Sequence, residues 1–258
     1  MGKSKDLAEL AGVTSRLDTL GATSGALSNR NLIANGSCII AQRGASSTTN
    51  GYGSVDRFQT LYSGTDEAPT QSQVDVASGT TPYTLGFRKA FKLTNANQSS
   101  GAGSIDLIAI KTRLEAQDIA NSGWIVNDPN SFITVSYWIR SSVAQQFQVN
   151  NRLYGPSGGN QREFCYEYTL AANTWTKITH SIPGNSSLSF NNDNTRGLSV
   201  AIFPFNGTDN STSGHTDGAW AAWSTSNKVK DMTSTWYTTN DATLEITGVQ
   251  LEVGSVAT

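Results

Sequence analysis

The sequence predicts an all-β fold, a jelly-roll β-sandwich that follows a short helical or extended segment at the N-terminus. Charged residues make up only 15% of the 258 residues, and much of the remainder is Ser, Thr, Asn, Gln and Gly. Neutral polar and β-branched residues in such excess favour exposed sheets over helices. From Asn31 onward, about ten short stretches alternate apolar with polar residues, without a helical pattern between them, which is typical of an antiparallel sandwich.

Residues 1–28 differ from the rest because they carry a heptad spacing. One series is Leu10, Leu17 and Ser24, and the other is Val13, Leu20 and Leu27. Gly12, Gly21 and Gly25 each cost about 1 kcal/mol in a helix interior, and a segment this short is not stable alone. We expect residues 1–28 to be an attachment or oligomerisation segment, with a frayed terminus as the alternative, and residues 29–258 to be the jelly-roll domain. The anchor contacts are expected from Leu10, Val13, Leu17 and Leu20.

The last strand, Ala242–Val253, carries the clearest strand pattern. Leu244 and Ile246 share one face, and after Gly248 the apolar residues change parity, which indicates a β-bulge. The residues after the bulge that we expect to be buried are Val249, Leu251 and Val253. Because the first and last strands of a jelly roll commonly lie together, residues 31–42 are expected beside this strand.

The composition argues against several classes of partner. A formal net charge of −2 gives no electrostatic footprint for nucleic acid or an anionic membrane, and no apolar window is long enough for membrane insertion. The N-terminus lacks the apolar core of a signal peptide, so we expect the protein to be made in a cytoplasm. Cys38 and Cys165, the only cysteines, are expected to be buried free thiols.

Catalytic chemistry finds little support in the sequence. His180 lies on the apolar parity of its stretch and is expected in the core or at an edge, whereas His215 lies in a Gly/Ser/Thr-rich loop and is expected to be exposed. Glu163 and Glu167 share a parity and are expected on a solvated face. Motifs for a nucleophile elbow or a metal site are missing, so the sequence predicts no enzyme, no cofactor and no metal site.

Glycan binding fits the aromatic residues better, because pyranose rings stack on aromatic faces while polar side chains hold the hydroxyl groups. In the stretch FITVSYWIRSS, Trp138 shares its face with Arg140, which makes the two a candidate groove. The connection 206–241 is too long for an ordinary link between strands. Its aromatic residues contact either a glycan, a neighbouring subunit or the protein itself: Trp220, Trp223, Trp236 and Tyr237.

Several stretches together resemble a known family, the bacteriophage tail-fibre and virion appendage proteins. The matching stretches, in the family's order, are NLIANGSCIIAQRG, SVDRF, FITVSYWIRSS, TWTKITHSIPG and ITGVQLEVGSVAT. The resemblance covers about residues 31–258 and implies a jelly roll like that of carbohydrate-binding modules. Related modules often hold a calcium ion through an acidic pair in the last strand. Here that place reads Ile246-Thr247-Gly248-Val249, which argues against calcium at that site.

The resemblance implies a virion structural protein, a tail fibre or spike that attaches by its N-terminus and binds host-surface glycan. The main alternative is a capsid-surface decoration protein, a knob or fibre without receptor binding. The third hypothesis is an accessory module of a carbohydrate-active enzyme. The expected partners are other virion proteins of the tail or capsid. A homotrimer is expected because copies of a short heptad segment stabilise one another in closed symmetry.

Overall fold

In the computed structural model, residues 31–156 and 160–257 are described, and they form two antiparallel sheets of six strands each. The predicted all-β fold is confirmed. Sheet A has the order β1-β3-β4-β12-β6-β9, and sheet B has the order β11-β8-β7-β10-β5-β2. The heptad residues Leu10, Val13, Leu17 and Leu20, and the predicted boundary at residues 28 and 29, lie outside the described residues.

The strands are short and the helices shorter still. The strands are β1 (Ser46–Ser47), β2 (Phe58–Ser63), β3 (Thr70–Asp75), β4 (Lys89–Thr94), β5 (Leu107–Glu115), β6 (Phe132–Ser141), β7 (Gln145–Leu153), β8 (Arg162–Leu170), β9 (Thr176–Pro183), β10 (Arg196–Asn206), β11 (Trp220–Ala222) and β12 (Thr243–Val253). The helices are α1 (Thr81–Thr84), α2 (Ala116–Ala120), α3 (Thr235–Thr238) and a 3₁₀-helix (Thr208–Asn210). Among the described residues, every helix is too short or too polar to cross a membrane.

Eight of the strands have the connectivity of a jelly roll. Along the chain they switch sheets at every step except the β7–β8 hairpin, giving β4-β12-β6-β9 in one layer and β5-β10-β7-β8 in the other. This is the double Greek-key arrangement of a jelly roll. The first of these strands, β4, pairs with the last, β12.

The period-2 pattern explains how the layers meet. Along β6, Ile133, Val135, Tyr137 and Ile139 are all 0% exposed and belong to the core between the sheets. Burying a side chain of this size stabilises the fold by about 1.5–3 kcal/mol. The intervening residues point away from the core, which defines an outer face for each sheet.

The predicted bulge in β12 is confirmed. Its pairing with β6 shifts register between Thr247 and Gln250, and Gly248 has a φ of +61°. A Cβ at Gly248 would lie 2.6 Å from Cζ of Phe87, so only glycine fits this position. After the bulge, Val249 and Leu251 are buried as predicted, and Val253 is partly buried against the core.

Residues 31–42 lie against β12, as predicted, but they do not form a strand. The Leu32 amide donates to Leu251 O (2.9 Å), and the Val249 amide donates to Gly36 O (2.9 Å). Between these bonds the backbone turns, because Asn35 takes a φ of 60° and its side-chain amide donates to Ile40 O (2.9 Å). The segment therefore continues the edge beside the second half of β12, where β4 no longer pairs with it.

Candidate functional site

The structure separates the predicted glycan-binding residues instead of bringing them together. Trp138 and Arg140 lie on the outer face of sheet A, where Trp138 is half-buried between the registered residues Thr247 and Lys177. Arg140 Nη1 is 3.6 Å from Glu245 Oε2, so its charge already has a partner. The four aromatic residues of the 206–241 connection lie elsewhere.

Trp236 and Tyr237 are in the core, so the prediction that they contact glycan is wrong for this fold. Trp236 is 0% exposed, and its indole donates to Thr243 O (3.1 Å). Tyr237 is 1% exposed, and its hydroxyl donates to Asp106 Oδ2 (2.9 Å). The side-chain amide of Asn95 holds α3 against the core because it donates to backbone carbonyl groups in and next to this helix. These carbonyl groups belong to Trp236, Tyr237 and Thr239.

Trp220 joins the edges of the two sheets. It lies in β11 at the edge of sheet B, and its ring packs edge-on against Phe164 with a centroid distance of 5.4 Å. Its indole N–H donates to Pro183 O in β9 of sheet A (2.7 Å). With the indole N–H satisfied and the ring against the core, Trp220 is a structural contact between the sheets.

Trp223 is the one predicted residue that lies on the outer side of sheet B and remains partly exposed. Its backbone amide donates to Gln161 O (3.0 Å), which fixes it beside β8. The guanidinium carbon of Arg152, in β7, lies 3.3 Å from the centroid of the indole. Arg152 is held in turn by its Nε, which donates to Gln161 Oε1 (2.8 Å). This cation–π stack fixes the orientation of the indole and covers one of its faces.

Trp223 borders two clefts. The wider one has a volume of about 260 Å³ and is lined by Asn160, Gln161, Arg162, Ala222 and Trp223. The smaller one has a volume of about 60 Å³ on the outer face of sheet B. Its apolar floor is formed by Leu61, Leu107, Ala201 and Phe203, and its polar wall by Lys111, Asn150, Arg152 and Lys228.

Positive charge gathers around the smaller cleft. Lys111 is only 9% exposed, and its Nζ donates to the hydroxyl group of Tyr154 (3.2 Å). The guanidinium carbons of Arg152 and Arg196 lie 4.6 and 4.9 Å from the centroid of the Tyr154 ring. Burial raises the pKa of Tyr154, but the charge of Lys111, a hydrogen bond with Ser199 and the charge of Arg152 outweigh it and lower the pKa to about 8.

Glu163 and His215 are both buried, so the predictions of a solvated face and an exposed loop are wrong for these two residues. Their side chains are 0% and 1% exposed because the chain after β10 folds back over the outer face of β8. His215 Nε2 lies 3.8 Å from Glu163 Oε1, which is too long for a hydrogen bond. Burial raises the pKa of Glu163 to about 8 and lowers that of His215. Both groups are therefore mainly uncharged at neutral pH, and the contact is not an ion pair.

His180, Cys38 and Cys165 lie where the sequence predicts. His180 is half-buried and stacks on Tyr166 with a centroid distance of 3.9 Å. Cys38 and Cys165 are buried free thiols, and burial raises the pKa of Cys38 to about 12. In the part of the chain that the structure describes, His, Cys, Asp and Glu residues do not form a group of three or more that would hold a metal ion.

The residues that the sequence-based prediction of the site did not include are Lys111, Arg152, Tyr154 and Lys228. A partial signal exists, because Arg152 alternates with the apolar residues of its stretch and so must point outward. That signal does not reveal that β7, β10 and β5 are neighbours, which brings Arg152 and Lys111 to the same face. Strand order is a property of the whole fold and is not contained in any one stretch.

Neither a protein-family model nor a curated protein matches the sequence, and the comparison with solved structures finds partial likenesses. One is the enzymatically active domain of tailspike protein 4 from bacteriophage CBA120, with 10% identity and a TM-score of 0.45 over 87% of this chain and 21% of that chain. Another is the family 11 carbohydrate-binding module from Clostridium thermocellum, with 10% identity and a TM-score of 0.37 over 83% of this chain and 98% of that chain.

A cyclase from Fischerella sp. TAU in complex with 4-(1H-indol-3-yl)butan-2-one is also similar, with 10% identity and a TM-score of 0.47 over 89% of this chain and 99% of that chain. The chain spans only 21% of the length of the tailspike domain. At these identities and TM-scores, the likenesses say nothing about what this chain binds.

Proposed function

We propose that the chain is a bacteriophage virion protein, a tail-fibre or spike appendage that binds host-surface glycan on the outer side of sheet B. The observation that carries the binding role is Trp223, a partly exposed indole at the border of two clefts. Its orientation is fixed by the Arg152 stack, so its exposed surface is preorganised to receive the flat C–H face of a sugar ring. The phage assignment is supported by the five stretches that resemble appendage proteins.

The wider cleft suits a pyranose ring. Its rim offers the side chains of Asn160 and Arg162, which supply hydrogen-bond donors and acceptors beside the indole, whereas Gln161 Oε1 accepts from Arg152. A few polar groups around an aromatic surface are the usual composition of a small-ligand site. The protein acts in this proposal by binding and not by catalysis.

Residues 1–28 serve as the virion attachment segment in this proposal, and the appendage is a homotrimer. Deleting residues 1–28 leaves a folded jelly roll that no longer joins the particle. Particles produced with the deleted chain, examined by immunolabelling and electron microscopy, are expected to lack it. Incorporation at the level of the full chain would contradict the attachment role. A label on the capsid surface instead of the tail would favour the decoration role.

The binding role is tested with a glycan array of bacterial capsular polysaccharides and O-antigens, using the full chain. We expect binding to a restricted set of glycans and loss of that binding in Trp223→Ala. Because Trp223 is partly exposed, this variant should retain the melting temperature of the wild type, which circular dichroism checks. Failure of the wild-type protein to bind glycan or host cells would overturn the receptor-binding role and leave decoration as the better account.

A further inference from the structure

We infer, on the basis of the proposed function, that the bound glycan contains an acidic sugar whose carboxylate enters the smaller cleft beside Trp223. Three cations line that cleft, Lys111, Arg152 and Lys228. Among the described residues, not one of the three has a carboxylate oxygen within 4 Å, in contrast to Arg140 on the opposite sheet.

The acidic side chain that interacts with Arg152 and Lys228, Glu163, does not neutralise this charge. Glu163 interacts with Arg152 and Lys228 across the face of β8 and β7. Its Oε2 accepts a hydrogen bond from the Asn150 amide (2.8 Å), but burial raises its pKa to about 8. A carboxyl group with that pKa is mainly protonated at pH 7, so the cleft keeps an excess of positive charge.

Lys111 is also held away from water, and its hydrogen-bond partner is a hydroxyl group instead of a carboxylate. Lys111 is 9% exposed, and burial together with the positive charges of Arg113 and Arg152 lowers its pKa. Arg113 Nε, on the same outer face of β5, is buried without a hydrogen-bond partner among the described residues. Buried cations are normally paired with an anion, and a cluster whose hydrogen-bond partners are neutral groups is a favourable place for one.

The size and position of the smaller cleft indicate which kind of anion it can hold. A volume of about 60 Å³ admits a carboxylate but not a pyranose ring, whereas the 260 Å³ cleft that also borders Trp223 is large enough for much of a ring. Because Trp223 borders both clefts, a sugar stacked at the indole can direct its acidic group toward Lys111 and Arg152. The planar guanidinium group of Arg152 also matches the two oxygens of a carboxylate.

The test uses a glycan that the array identifies as bound, together with the same glycan after chemical reduction of its carboxyl groups to alcohols. Titration calorimetry should show at least about tenfold weaker binding of the reduced glycan, because a charged hydrogen-bonded contact is lost. Wild-type affinity for the untreated glycan should also fall as salt is raised. The matched variants are Lys111→Met in the cleft and Lys177→Met on sheet A.

We expect Lys111→Met to weaken binding of the untreated glycan about tenfold and to leave binding of the reduced glycan unchanged, while Lys177→Met changes neither. If Lys111→Met fails to fold, Lys228→Gln serves in its place. Equal affinity for the untreated and reduced glycans, with loss of both in Trp223→Ala, would overturn the acidic-sugar inference while supporting the proposed function. A wild-type protein that binds neither acidic nor neutral glycans would overturn both.

Discussion

Two tryptophans of the same connection, between β10 and β12, have opposite environments. Trp236 is 0% exposed between the sheets, whereas Trp223 lies on the outer side of sheet B and stays partly exposed. The sequence around both is similarly rich in Ser, Thr and Asn. The difference arises because the first half of the connection runs over sheet B, whereas the second half turns inward at α3.

The polar groups around the two residues differ in the same way. Around Trp236 they are satisfied, since the Asn95 amide donates to three backbone carbonyls and the Tyr237 hydroxyl donates to Asp106. Around Trp223, the charges of Lys111 and Arg152 have no carboxylate partner among the described residues within 4 Å. A satisfied buried network stabilises the fold, whereas cations at a cleft whose partners are neutral groups indicate a site for an anionic ligand. The comparison therefore separates a structural tryptophan from a binding one.

The largest expected effect is on stability. Trp236→Ala should lower the free energy of unfolding by about 3–5 kcal/mol, because it leaves a large cavity in the core and removes the indole hydrogen bond to Thr243 O. Trp223→Ala should change it by less than about 1 kcal/mol. Urea denaturation of the two variants measures the difference. Equal losses would contradict the division of the connection into a core half and a surface half.

The next effect is the pH dependence of the free energy of unfolding that arises from Glu163, on the outer face of β8. The folded pKa of Glu163 is about 8, above its ordinary value of 4.5, so between these values the folded state retains a proton that the unfolded chain loses. The unfolding free energy therefore falls as pH rises through this window, by at most about 1.4 kcal/mol per pH unit from this group.

Glu163→Gln should remove that slope and keep the hydrogen bond from Asn150, because a glutamine oxygen also accepts. The lowered pKa of His215 acts in the opposite direction below its ordinary value of 6.5, and the lowered pKa of Tyr154 acts in the opposite direction as pH approaches 8. The difference between wild type and Glu163→Gln isolates Glu163, because both proteins retain His215 and Tyr154. Thermal melts of both proteins between pH 6.5 and 8 measure the change. Parallel curves for wild type and variant would show that Glu163 is ionised in the folded protein.

A smaller effect reports on the cations near Trp223. Spectrophotometric titration of the tyrosines should reveal one group with a pKa of about 8, and Tyr154→Phe should remove it. Lys111→Met should raise that pKa toward the ordinary value of 10, because it removes the charge and the hydrogen bond that favour the phenolate. A titration in which Tyr154 ionises near pH 10 would contradict the concentration of positive charge at this cleft.

The sequence was sufficient for the parts of the fold that depend on local pattern. The alternation in β6 and the phase change at Gly248 are visible in the order of residues, because side chains on a strand point to opposite faces in turn. The burial of Glu163 was not predictable in this way. Its stretch has the same alternation as a strand with a solvated face, and only the return of the chain from β10 to β11 covers it.

The candidate site was predictable to a still smaller extent. Trp223 was one of several aromatic residues in the polar connection 206–241. Trp236 lies in a similarly polar stretch of the same connection, so the sequence did not distinguish the two. Lys111, Arg152 and Lys228 come from three distant parts of the chain, and they meet only because β5, β10 and β7 are adjacent and the connection after β10 folds over them. The proximity of these three residues depends on the jelly-roll strand order.

The role of Trp223 is tested most directly by comparing it with Trp138, the half-buried tryptophan on the outer face of the other sheet. The affinity of each alanine variant for the glycan bound by the wild-type protein is measured by titration calorimetry. We predict that Trp223→Ala weakens binding about tenfold or more and that Trp138→Ala leaves it unchanged. The reverse order, with binding lost in Trp138→Ala and kept in Trp223→Ala, would contradict the placement of the site on sheet B.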